Sequence, residues 1–248
     1  MRNIWTIARR EYDRYFNSPV AYVVAFMVLL VEGLIFVAVI QQYVANAFQS
    51  FGSAPDVSPI TGNFVFLMVF SIPALTMRLV ADETRTGTME LLLTAPVRDW
   101  ELIIGKWLGG LLFVLTLLAI TLVYPIILNG LVTPGLDQRQ VMSAYLGVIL
   151  VVAAFLALGV GISAVFTNQI AAFFLTMGTL IFLWWLIGFP ADFSPVGSGA
   201  FHYLDMKSHF YDTFNQGVVN LGDLVYLLSL TVLGLFTGIT AVETRRWR

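Results

Sequence analysis

The sequence predicts an all-α integral membrane protein of six transmembrane helices, and three observations carry that expectation. The 248-residue chain is 58% hydrophobic and only 11% charged, against about 25% charged residues in soluble domains. Its mean hydropathy is +0.85, so it lacks the polar surface to cover itself in water. Six runs, at 20–42, 62–81, 104–131, 143–166, 169–189 and 222–242, reach the roughly 20 apolar residues that a spanning helix needs. With little chain left between them, residues 1–248 read as one membrane domain.

Before the first run, residues 1–17 predict an amphipathic interfacial helix. Ile4, Ile7, Ala8, Tyr12, Tyr15 and Phe16 share one face at helical spacing, opposite Arg2, Thr6, Arg9, Asp13 and Asn17. Such a helix would rest in the headgroup layer with its arginines toward anionic lipid or a partner. Asn17-Ser18 ends it, and Pro19 suits the first turn of the first span. Glu32 lies thirteen residues into that span. A carboxylate there marks either a hydrogen-bonded group facing the bundle or a contact for a proton or substrate.

The second span carries Pro73 and ends near Arg78, expected to pair with Asp82 or Glu83 or else to reach the headgroups. The segment 82–100 is polar and charged. In it Gly87 ends one turn, Thr88 can cap a helix over 89–94, and Ala95-Pro96 breaks that helix. Met89, Leu92 and Leu93 make an apolar wedge, and Asp99 is the expected cap of the third span. The fourth span spaces Ala153, Ala157 and Gly161 four apart, which lets helices approach closely. The fifth ends in Trp184 and Trp185, expected in an aromatic belt at the outer interface. Residues 190–221 predict short re-entrant or interfacial helices with Met206, Phe210 and Phe214 on one face.

Charge sets the expected orientation. Arg2, Arg9, Arg10, Arg14, Arg78, Arg85, Arg98, Lys106, Arg245, Arg246 and Arg248 fall on one set of flanks, and Arg139 and Lys207 on the other. The basic side is expected in the cytoplasm, with both termini and the 82–100 segment.

Motifs for chemistry are scarce. The chain has no cysteine, which excludes thiol catalysis and cysteine metal sites. Around Gly105-Lys106, Trp100 replaces the first glycine of a phosphate-binding loop and Trp107 follows the lysine, so no nucleotide is bound by that route. His202 and His209 lack the H-E-x-x-H context, so no metal or catalytic set is expected. Three classes stay open: a permease driven by a partner's ATPase, a proton-coupled secondary transporter using Glu32, and a lipid enzyme.

PALTMRLVADETRTGTMELLLTAPVRDWELIIGKWLGG, residues 73–110, resembles the passage between the second and third spans of ABC-2-type transporter permeases. It is closest to the branch associated with gliding motility and nitrous oxide reductase maturation. Thr76, Met77, Arg78, Glu83, Gly87, Thr88, Glu90, Leu91–Leu93, Thr94, Pro96, Gly105 and Lys106 carry the likeness, and Asp82 stands where the pattern has glutamate. Arg9 to Pro19, and His209 to Val219 followed by Asp223, Leu224 and Tyr226, are similar to the family in the same order. The resemblance implies a permease that pairs with a second copy or paralogue and sits on a separate ATPase subunit, which binds ATP and Mg. Accessory extracytoplasmic proteins are implied partners too; nucleic acid is not. It makes 82–100 the coupling segment, with Glu83, Arg85, Glu90 and Arg98 as polar contacts to the ATPase. Residues 1–17, with Arg9, Arg10, Tyr12 and Arg14, become the connecting helix.

Overall fold

The computed structural model describes residues 2–45, 56–85, 97–131, 135–190 and 198–246. Helices, and no strands, form its regular structure among these residues. Six of its helical stretches are long and apolar enough to cross a membrane: 19–45, 58–83, 99–131, 138–165, 169–186 and 221–245. These are the six runs expected from hydropathy.

A short helix α1 (Arg2–Tyr15) leads into α2 (Pro19–Ala45), the first span. The second span is α3 (Ser58–Thr76) continued by α4 (Ala81–Arg85). Between them residues 77–80 form a turn, which frees backbone donors. The Ser163 hydroxyl accepts two of them, from the amides of Val80 at 3.3 Å and Ala81 at 3.2 Å. A broken helix inside a membrane protein persists only where such groups are satisfied again.

The third span divides likewise into α5 (Asp99–Thr121) and α6 (Val123–Leu131). Pro125 has no amide hydrogen for the carbonyl four residues back, Thr121. The Tyr145 hydroxyl donates to that carbonyl instead, at 3.0 Å. Asp99 is the first residue of α5, not its cap. Arg98 is the N-cap, and its amide donates to the Glu101 carboxylate at 3.0 Å, half of a capping box.

α7 (Gln138–Val165) is the fourth span and the centre of the bundle. Of its most apolar stretch 72% is buried, against 17% for α2. Val148, Val151, Phe155, Leu156 and Val160 are fully enclosed. Its small residues meet α11 (Leu221–Arg246), the sixth span. A Cβ at Gly161 would lie 2.4 Å from the Gly234 carbonyl oxygen, and one at Gly234 only 2.4 Å from the Ala157 backbone. Only glycine permits that approach.

α8 (Gln169–Ile181) runs into a π-helical turn, Phe182–Leu186. Trp184 belongs to the core rather than an aromatic belt: it is 1% exposed, against Phe155 and Tyr211. Trp185 is half-buried, edge-on to Phe66. Beyond it α9 (Ser198–Leu204), α10 (Met206–Tyr211) and a 3-10 turn (Phe214–Gln216) fold over the bundle end. Met206, Phe210 and Phe214 are all buried, the face expected from their spacing.

Candidate functional site

At the end of the bundle that holds α1, three elements meet around one lysine. α1 lies alongside the first turns of α5 in the same direction. Asn3 bonds Glu101, and Tyr12 bonds Thr116 at 3.1 Å. Two glycines on α5 allow the contact. A Cβ at Gly105 would lie 2.7 Å from Ile7, and one at Gly109 2.6 Å from Glu11. The apolar face of α1, expected to rest on lipid, is therefore packed largely on the third span. Tyr15 closes the contact, stacked on Phe113 at 4.8 Å and donating to the Leu75 carbonyl at 3.3 Å. Burial pushes its phenol well above the usual range, so it stays a neutral donor.

Lys106 sits within this packing and is fully enclosed. Its Nζ donates to Glu11 Oε1 at 3.0 Å and to Glu83 Oε1 at 2.8 Å. Two carboxylates against one ammonium would leave an excess negative charge, and two arginines of α1 offset it from the rim. Arg10 lies 3.7 Å from Glu83; Arg14 lies 3.8 Å from Glu11 and 3.6 Å from Asp82. Asp82 also accepts from Gln169, at the start of α8. The exposed arginines add little energy each, whereas the enclosed lysine and its two carboxylates must stay together, since an unpaired buried charge is costly.

The joint has a definite place in the chain. Glu83 is at the end of the second span and Lys106 near the start of the third, so their ion pair clamps the two roots of the segment between them. Glu11 ties that clamp to α1, and Asp82 ties it to the fifth span. The residues needed for this were not all legible. Glu11 shares a face with Ala8 and Tyr15, a carboxylate in a core register, and that spacing was the available signal. Lys106 lies inside the bundle and is no flanking charge of the third span.

Other expected site residues are placed as follows. Glu83 is 5% exposed and turned toward Lys106. Arg9 and Arg98 are exposed, and Tyr12 is half-buried. Arg85 ends α4. Thr88, Met89, Glu90, Leu92, Leu93 and Pro96, with the expected coupling helix, lie outside the described residues. Arg78 is exposed, and the ion pairs expected for it at Asp82 and Glu83 are made by Arg14, Arg10 and Lys106. Glu32 is far from the joint in sequence and fully enclosed, accepting from Asn63 at 3.0 Å.

A second polar cluster closes the opposite end. His209 Nδ1 lies 2.6 Å from Asp223 Oδ1, and Nε2 lies 2.7 Å from the Tyr203 carbonyl. Tyr226 stacks on the ring at 4.1 Å and donates to the Leu204 carbonyl. Together these fasten α9 and α10 to the sixth span. Among the described residues, no group of three or more acidic or histidine side chains could hold a metal.

Six apolar helices, held at one end by a buried charge joint, define a multi-pass membrane protein. The chain belongs to the ABC-2 family of transporter proteins, whose family model matches residues 5–242. It is thus a permease component of an ABC transporter, and membership of the family implies an ATP-binding partner subunit. No curated protein matches it.

Proposed function

We propose that this chain couples ATP hydrolysis by a separate ATPase subunit to export, or to mechanical work across the membrane, as one of a pair of permeases. The ATPase, holding ATP and Mg, docks from the cytoplasm on the segment around 86–98 and beside the exposed arginines of α1. The carrying observation is the Lys106 joint, which links Glu83 and Glu11 within 3.0 Å. That segment has both of its roots, at Glu83 and Lys106, tied to each other. A push on it is delivered together to the second span, the third span and α1, and through Asp82 and Gln169 to the fifth. ATP binding at the partner then biases the helices between two arrangements.

The test is co-purification from native membranes. An ATPase should come down with the full-length chain, and deletion of residues 84–98 should abolish that association. Unchanged association after the deletion, or transport that follows pH and ignores ATP, would remove this reading.

A further inference from the structure

Beside the charge joint, where α1, the start of α2 and the end of α3 converge, lies a cavity of about 120 Å³. That is roughly four times the ~30 Å³ that one water molecule takes up in the liquid. Its polar wall is made by Glu11, Arg14, Ser18, Arg78 and Asp82. Its apolar wall comes from the span ends, with Ala21, Leu75 and Leu79 among the lining residues. Pro19 and Tyr22 beside it are exposed, so the cavity opens where the surface of the first span begins.

The wall carries both signs of charge, and on each side one group is left over. Arg78 is exposed and makes no ion pair among the described residues. Glu11 is 1% exposed, and its Oε2 has no hydrogen-bond partner among the described residues. Arg14 is 3.8 Å from that oxygen, beyond hydrogen-bond reach. A buried carboxylate oxygen without a donor is costly and adds negative potential behind the wall, while the carboxylate that an N–H in the cavity can reach is Asp82, whose side chain is 22% exposed. A guanidinium matches phosphate oxygens in the same way.

We propose that this cavity binds the headgroup of an aminophospholipid, a phosphoethanolamine carrying two acyl chains. The phosphate meets Arg78 and Arg14, the primary ammonium donates to the Asp82 carboxylate, and the glycerol end leaves along the apolar wall. A choline headgroup cannot donate an N–H to the carboxylate, and a glycerol headgroup brings no cation to it. The site is independent of the coupling role above, since it needs only this chain.

The test uses the full-length chain purified from membranes and native mass spectrometry of retained lipid. Phosphatidylethanolamine should be retained over phosphatidylcholine and phosphatidylglycerol by about tenfold, the factor that one charge-assisted hydrogen bond is worth. Arg78→Gln should flatten that preference while the purified variant keeps its helical content, because Arg78 braces no other described residue. Soluble phosphoethanolamine should not displace the lipid. Equal retention of the three lipids, a preference for phosphatidylglycerol, or an undiminished preference in Arg78→Gln would each overturn the proposal. So would displacement by the soluble headgroup, which would make the ligand a small phosphoamine instead.

Discussion

Lys106 is the residue on which the most depends. Lys106→Met leaves Glu11 and Glu83 as buried carboxylates without their ammonium, a loss of about 3–5 kcal/mol. We expect a clear drop in melting midpoint for the purified variant. Replacing all three charges with apolar residues of similar size (K106M, E11L, E83L) removes the desolvation cost as well, and such exchanges are often neutral or stabilising by about 1–4 kcal/mol. The triple variant should therefore melt near the parent but fail to stimulate the ATPase when cargo or partner is supplied. A triple variant that melts normally and couples normally would make the joint a packing device and nothing more. Glu32 differs because it has an amide for a partner. Glu32→Gln keeps an acceptor for Asn63 and should change stability by less than about 1 kcal/mol, with function retained. Glu32→Ala leaves the Asn63 donor bare at about 1–3 kcal/mol. Loss of function in a well-folded Glu32→Gln protein would show that the carboxyl group itself is used.

At the scale of elements, the breaks within the second and third spans are held by side chains from the fourth. Tyr145→Phe removes the donor that serves the Thr121 carbonyl. Hydrogen bonds inside membrane proteins average about 0.6 kcal/mol, reaching about 1.7, so a loss of about 1 kcal/mol is expected. In a Pro125→Ala background the backbone can supply its own donor, and the same substitution should cost less. A thermodynamic cycle in unfolding experiments reads the difference; equal costs in both backgrounds would contradict the account. The six spans were legible because each is a long apolar run, which needs no tertiary information. The breaks were less so: Pro125 marks one, yet its rescue by Tyr145 depends on which helices touch. The same holds for the joint. Glu11 and Lys106 are 95 residues apart in the chain, and each alone reads as a charge on an apolar face. Only the packing of α1 on Gly105 and Gly109 brings them together. Trp184 misled for a related reason, since a terminal tryptophan fits a membrane interface as well as it fits a core.

At the scale of the whole molecule, the spans divide by how much protein surrounds them. The fourth is a core helix, whereas the first and fifth have 17% and 22% of their most apolar stretches buried. Their exposed faces, with Phe26, Leu30 and Leu34 on one and Phe174 and Leu175 on the other, suit lipid or a second permease. Orientation is the property that every coupling argument requires. The charge asymmetry survives the removal of Lys106 from the flanking charges, because α1, Arg78, Arg98 and the end of α11 still place arginines at one end while Arg139 and Lys207 stand at the other. The natural chain has no cysteine, so a single introduced thiol reports its own position without background. Asp13→Cys, on the exposed face of α1, and Lys207→Cys, exposed on α10, sit at opposite ends of the bundle. In spheroplasts a membrane-impermeant maleimide should label Lys207→Cys at once, and Asp13→Cys only after the membrane is opened. Labelling of both from outside would break the six-span topology. The reverse order would turn the molecule over, placing the charge joint where no cytoplasmic ATPase can reach it.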